Sequence, residues 1–176
     1  MKQSFLINLL IIGYIQTANL QCLNVCSRIN STKRGNYLNV LNYHNGDLIS
    51  SKNKNQFNDY NDGSPFRDEI YLVTSYFGFL MCSLGQSIQI NLIQKYELNT
   101  LKIWLWDRTN RFYTIEVFII FENVETRIYE SNQAQSILTI QFPAQKVESF
   151  RIYNTGGNTV NSILHIIKVE AYYKFQ

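Results

Sequence analysis

The chain has 176 residues, of which 45% are hydrophobic, 14% aromatic and 16% charged, a composition typical of one globular domain and not of a disordered segment. Its 12 tyrosines and 11 phenylalanines, beside only 2 prolines, favour β-strands over helices. The formal net charge of +3 is small and scattered along the chain. It argues against nucleic-acid binding, which needs lysines and arginines gathered on one face.

The first residues match a secretory signal peptide. Met1–Gln3 is a short basic start, Phe5–Ile15 is an apolar run, and Thr17–Gln21 is a small-to-polar exit. The apolar run is shorter than the roughly 20 residues that a membrane-spanning helix needs. We therefore predict a signal peptide at residues 1–21, no transmembrane span after its cleavage, and a secreted or lumenal domain at residues 22–176. An uncleaved membrane-proximal anchor and a first buried segment of the domain are the alternatives.

Three cysteines remain after such a cleavage. Cys22 and Cys26 are close enough for a disulfide that closes a short loop, which would leave Cys82 as a buried thiol. One Cys-x-x-x-Cys pair without a second pair is not a zinc motif. Asn30 opens an Asn-Ser-Thr glycosylation sequon, which is usable only in the secretory pathway.

The first third of the mature chain is polar and rich in turns. Lys52–Asp62 is typical of a long exposed loop. The following segment Tyr76–Met81 groups apolar side chains around a glycine without a clear period. We interpret it as a strand end or a buried turn. The alternative is an exposed apolar spike that inserts into a membrane or a partner.

From Ser87 onward, about seven short strands follow one another without a credible helix between them. Their alternating segments are Ile88–Leu92, Leu101–Asp107, Tyr113–Phe121, Val124–Tyr129, Leu138–Phe142, Phe150–Tyr153 and Ile163–Ala171. The alternation places Trp104 and Trp106 on one face, and Pro143 is expected to end its strand. This spacing predicts an all-β fold, an antiparallel β-sandwich or jelly roll.

Four segments resemble a known family. They are Met81–Leu92, Leu101–Tyr113, Ser149–Thr155 and Asn158–Glu170. Their order and residue types resemble the discoidin, or coagulation-factor V/VIII C-type, domain of the galactose-binding-like superfamily, in the version found in BTB-and-BACK proteins. The resemblance implies a β-sandwich that binds glycans, phospholipid head groups or proteins through loops at one end, in some members with a structural calcium ion. The BTB and BACK domains are absent from this chain, so an adaptor role in a ubiquitin ligase is not implied.

The resemblance places a candidate ligand site around the end of the second segment. Arg111 matches a recurrent arginine of the family, which we expect to be partly buried and bonded to Asp107 or to loop carbonyls. Arg108 is an addition in this chain and is the better candidate for a donor to a carboxylate, phosphate or sugar hydroxyl. Trp106 or Tyr113 would add a stacking face.

A second loop is expected nearby if the family topology holds. It contributes Thr155, Asn158 and Asn161 as candidate ligand-binding residues, although asparagine side chains more commonly hold turns. Gly156-Gly157 would give this loop positive-φ freedom and a close backbone approach. His165 alternates with apolar residues, so we interpret it as a core histidine whose hydrogen bonds are satisfied.

No catalytic motif is present: the chain lacks a nucleophile elbow, a His-Glu-x-x-His sequence and a phosphate-binding glycine loop. Asp59, Asp62, Asp68 and Glu69 do not have the spacing of a calcium-binding loop. We therefore predict no enzyme activity, no metal site and no cofactor. The sequence favours a recognition module for a glycan, a lipid head group or a protein. The alternative is a structural subunit of a ciliary or organellar assembly, with the sandwich face as its protein interface.

Overall fold

The structure is a computed structural model that describes residues 39–42, 48–49, 54–55, 65–66 and 78–174. All of them belong to the compact unit Arg34–Gln176. Several predictions concern residues outside these ranges: the signal peptide, the Cys22–Cys26 disulfide, the Asn30 sequon, the acidic group at residues 59–69, and Tyr76 with Phe77. Nothing in the described residues forms a helix long and apolar enough to cross a membrane.

The described residues form eight strands and no helix. The strands are β1 (Leu48–Ile49), β2 (Lys54–Asn55), β3 (Leu80–Cys82), β4 (Ser87–Leu105), β5 (Tyr113–Phe121), β6 (Val124–Ala134), β7 (Ile137–Asn158) and β8 (Leu164–Tyr172). The hydrogen-bonded order is β2-β3-β8-β4-β7-β5-β6, with β1 on β4, and every pair is antiparallel. Because β2 pairs with β3, part of the predicted Lys52–Asp62 loop is a short strand.

Two long strands each serve both layers of the sandwich. In β4, Ser87–Asn91 pairs with Ser149–Tyr153 of β7, whereas Tyr96–Trp104 pairs with Ile137–Val147. Register shifts separate the two halves. One layer therefore joins β3 and β8 to the second half of β4 and the first half of β7. The other joins β1 and the first half of β4 to the second half of β7, β5 and β6. The predicted antiparallel β-sandwich is confirmed.

The strand boundaries predicted around the bends are wrong. The first two predicted strands are parts of one 19-residue strand, β4. Pro143 does not end its strand, because it lies within the 22-residue strand β7. Pro143 lies between the pairs Leu98–Gln145 and Thr100–Gln141, where the register shifts. A proline is tolerated at such an irregularity, since no ladder hydrogen bond is needed from its nitrogen.

The inner faces of the two layers pack into one hydrophobic core. Its fully buried side chains include Leu101 and Ile103 of β4, Ile115 of β5, and Phe150 and Ile152 of β7. Burial of each such side chain stabilises the fold by about 1.5–3 kcal/mol. The apolar residues of the alternation that predicted these strands therefore lie on the inner faces of the two layers.

Part of the segment Tyr76–Met81 lies within the described residues. Gly78 has a φ of 91°, Phe79 is 5% exposed and Leu80 begins β3. These residues form a buried strand end, as the first interpretation proposed. Phe79 and Trp106 are both buried, but they stand apart from the main core cluster.

Candidate functional site

Three connections meet at one end of the sandwich. We call this surface the loop end and define it as residues 106–112, 135–136 and 159–163. The amide of Leu105 donates to the Ser136 carbonyl at 2.8 Å, and the amide of Thr159 donates to the Phe112 carbonyl at 3.0 Å. The loops around Arg108 and Asn158 are therefore neighbours, as the resemblance implied.

The first loop carries the exposed tip of the loop end. Its turn is closed by the Asn110 amide, which donates to the Asp107 carbonyl at 2.7 Å. The Asp107 carboxylate accepts a hydrogen bond from the Ser136 hydroxyl. Asn110 accepts a further bond from the Gln135 amide nitrogen at 2.5 Å. Asp107 thus links the two loops by a hydrogen bond. Arg108, which follows Asp107 in the turn, is exposed.

Arg111 is buried, as expected, but its partners differ from the prediction. Its Nε donates to the Thr109 hydroxyl at 2.7 Å, and its guanidinium carbon lies 4.2 Å from the Trp106 ring centroid. Asp107 bonds to Ser136 instead. The guanidinium therefore packs on an aromatic face within the fold.

Trp106 and Tyr113 do not offer a stacking face to a ligand. The Trp106 ring is stacked against Phe79, with centroids 5.4 Å apart, and the Arg111 guanidinium packs on the same ring. Tyr113 is fully buried, and its hydroxyl donates to the Trp106 carbonyl at 2.5 Å. Burial raises the pKa of Tyr113, so the phenol stays neutral. Both residues support the loop from inside.

His165 lies in the same aromatic cluster. Its ring centroid is 4.8 Å from Phe79 and 5.1 Å from Trp106. Burial, helped by the positive charge of Arg111, lowers the pKa of His165 to about 4. The predicted burial is confirmed, but full satisfaction is not, because Nδ1 has no hydrogen-bond partner.

Asn158 and Asn161 hold the turn in the second loop. The Asn158 side-chain oxygen accepts from the amides of Val160 at 2.8 Å and Asn161 at 2.9 Å. The Asn161 side-chain oxygen accepts from the Ile163 amide at 3.0 Å. These bonds match the commoner use of asparagine that the sequence suggested.

The residues before this turn are fixed by close packing. The Thr155 hydroxyl donates to the Thr114 carbonyl at 3.1 Å. A Cβ at Gly156 would lie 2.7 Å from the Thr114 Cβ, and one at Gly157 would lie 2.6 Å from the Ser162 Cα. Gly157 also has a φ of 73°. The predicted backbone freedom and close approach are confirmed.

The structural residue that sequence reasoning missed is Asn154. It is fully buried, and its amide nitrogen donates to the carbonyls of Cys82 at 3.2 Å and Ser162 at 3.0 Å. Its side-chain oxygen accepts from the Gly157 amide at 2.7 Å. Its partners come from other parts of the folded chain, so no pattern in the sequence indicated this role.

Cys82 is a free, buried cysteine. Burial raises the pKa of its thiol to about 12, so the reactive thiolate is suppressed. No group of three or more histidines, cysteines and acidic residues that could hold a metal ion occurs within the described ranges.

Two cavities lie away from the loop end, where the long strands bend. One of about 550 Å³ is lined partly by Asn99, Pro143 and Tyr173, and one of about 430 Å³ partly by Phe121 and Val124. In the larger one, the Asn99 amide is engaged by the backbone of Lys174. The smaller cavity lies at the opposite end of β5 from Tyr113, and both cavities are further locations to test for ligands.

Comparison with known proteins gives partial matches in sequence and broader ones in fold. No protein-family model matches the chain. The human and bovine BTB/POZ domain-containing protein 9 are each 34% identical over 86 residues, which is 47% of this chain but 14% of those proteins. The chain thus matches a small part of these longer relatives.

Solved structures match most of the sandwich. A family 32 carbohydrate-binding module from Clostridium perfringens, in complex with GalNAc-β-1,3-galactose, aligns with a TM-score of 0.55 and 16% identity over 75% of this chain and 98% of the module. The family 32 module of AlyQ, in complex with 4,5-unsaturated mannuronic acid, aligns with a TM-score of 0.50 and 19% identity over 72% and 96%. The chain therefore has the β-sandwich fold of these modules.

Proposed function

We propose that this chain is a non-catalytic module that binds a glycan through its loop end. The observation that carries the proposal is a set of exposed polar side chains on a backbone that the fold already holds in place. Arg108, Thr109 and Asn110 are exposed at the tip of a turn that is bonded to the neighbouring loop through Asp107 and Gln135.

This arrangement suits recognition without rearrangement. A ligand that docks on a preformed surface loses less free energy to the ordering of loops. The guanidinium of Arg108 offers several N–H donors to sugar hydroxyls or to a carboxylate. Val160 and Ile137, 58% and 55% exposed, add apolar surface for the C–H faces of a sugar ring.

The comparisons support a carbohydrate over the other ligand classes. The two modules described above have the same fold and are complexes with saccharides, one neutral and one acidic. We take galactose and an oligo-uronate as the first probes for this reason. A secreted or lumenal location, which we propose from the N-terminal sequence, would expose the module to glycans.

A glycan array tests the proposal directly. The full-length mature chain should bind at least one glycan, and Arg108→Ala should weaken that binding about 10-fold or more, since a charge-assisted hydrogen bond contributes about 1.5–3 kcal/mol. The melting temperature should stay nearly unchanged. Arg127→Ala is the matched control, because Arg127 is half exposed on β6, away from the loop end, and pairs with Glu116 and Glu130.

Three results would contradict the proposal. One is equal loss of glycan binding in the Arg108 and Arg127 variants. The second is a blank array while the chain binds phospholipid vesicles. The third is a blank array together with one stoichiometric protein complex in a pull-down from the native source, which would favour the structural-subunit alternative.

A further inference from the structure

The aromatic cluster at the base of the loop end contains three buried polar atoms without a partner. They are Nε1 of Trp106, one terminal guanidinium nitrogen of Arg111 and Nδ1 of His165. The three residues are 7%, 7% and 4% exposed. Because buried polar groups are normally hydrogen-bonded, three orphaned atoms on Trp106 and on two residues packed against it suggest a common explanation.

Arg111 also carries a positive charge, so its burial costs more free energy than the missing hydrogen bond alone. A buried cation is strongly unfavourable unless it is paired. The other buried cation of the described residues, Lys168, forms an ion pair with Glu170 at 2.8 Å. Arg111 has no such carboxylate partner in the described part of the chain. The face of Trp106 attracts the guanidinium but carries no net negative charge.

No nearby group of the described residues forms an ion pair with the Arg111 guanidinium. The Asp107 carboxylate is bonded to Ser136. Tyr113 is neutral, because burial raises the pKa of its phenol. His165 is neutral as well, and its ring is hydrogen-bonded to the backbone of Ile163. The cluster is therefore a buried cation accompanied by one further N–H donor, the indole nitrogen of Trp106.

The geometry points to a binding site for a small monovalent anion, of the chloride type, formed by Arg111, Trp106 and His165. An anion would accept from the guanidinium and from the indole N–H, beside the neutral ring of His165, and would balance the guanidinium charge. A water molecule would satisfy the dipoles but leave Arg111 without a direct ion-pair partner. The site would act as a structural element that fixes the base of the loop end, and it does not depend on the identity of any glycan.

The first test is an anion-dependent melting curve of the intact protein. Sodium chloride or bromide is compared with sodium gluconate at equal ionic strength, since gluconate is too large for a buried site. The melting temperature should rise saturably with halide, by about 5 to 10 °C when the halide concentration is about 100 times its Kd. No difference between the salts would overturn the proposal.

Two variants make the test specific. Trp106→Phe keeps a ring against Phe79 but removes the indole N–H, and it should weaken the halide effect. Trp104→Phe is the matched control, because Trp104 has an orphaned indole N–H beside the Lys168–Glu170 pair. It should leave the halide effect intact. Equal loss in both variants would contradict the assignment.

Diffraction from crystals grown in bromide provides a readout that does not depend on a variant folding. An anomalous peak within contact distance of Arg111 and Trp106, together with the saturable halide effect, would establish the site. A water molecule in that position, or a bromide peak without any halide effect on stability, would refute it.

Discussion

Replacement of Asn154 by alanine should loosen the second loop and lower the stability of the whole sandwich. The side chain is fully buried and makes three hydrogen bonds, to Cys82, Ser162 and Gly157. Each bond contributes about 1 kcal/mol, and more if its partner is left buried and unpaired. We therefore expect Asn154→Ala to lower the free energy of unfolding by about 3 kcal/mol, which is a large part of the typical 5–15 kcal/mol.

Urea unfolding followed by circular dichroism measures this loss. The midpoint should fall at an unchanged m-value, and the melting temperature should drop by about 6 to 12 °C. Asn154→Asp should be at least as harmful, because it replaces the donor to two carbonyls by a buried carboxylate. Asn132→Ala, at an exposed position of β6, is the matched control and should change stability by less than about 0.5 kcal/mol. A loss below about 1 kcal/mol for Asn154→Ala would refute the role assigned to these bonds.

Two further predictions concern the backbone of the second loop and the buried histidine. Gly157→Ala should lower the free energy of unfolding by about 3 kcal/mol, because of its φ of 73° and the backbone contact at 2.6 Å. The control Gly85→Ala, with a φ of 74° but open space around it, should lower it by only about 1 kcal/mol. Equal losses would show that the backbone contact at Gly157 does not contribute. In chloride-free buffer, stability should fall by up to about 3 kcal/mol as the pH drops from about 6.5 to about 4, because the unfolded chain takes up the proton that folded His165 rejects. His165→Phe should remove this dependence, and an unchanged pH profile in the variant would contradict it.

The fold could be predicted from the sequence because alternation and burial coincide along the strands. Leu101 and Ile103 alternate with Lys102 and Trp104, and the structure buries the first pair in the core. The continuity of β4 and β7 could not be predicted. At each bend the alternation is interrupted and the strand pairing resumes in a shifted register, and Pro143 resembles a strand end when only local rules are applied.

The sequence predicted where the candidate site lies better than it predicted what the individual residues do there. The sequence brought the loops around Arg108 and Asn158 together through the family resemblance, and hydrogen bonds between the loops confirm their proximity. The burial of Trp106 depends on Phe79, which is distant in sequence. The role of Asn154 depends on carbonyls that only the folded chain brings within reach. Contacts of this kind leave no periodic signal in a single sequence.

Chemical-shift mapping of the isotope-labelled protein, titrated with galactose and with an oligo-uronate, tests the central claim most directly. Glycan binding at the loop end predicts saturable amide shifts concentrated in residues 108–110, 135–136 and 159–161, which Arg108→Ala abolishes or weakens. Shifts concentrated instead around Asn99, Pro143 and Tyr173, at the cavity where the strands bend, would contradict the proposed site. If neither these two saccharides nor any glycan that binds on the array causes amide shifts, the proposed function itself is contradicted.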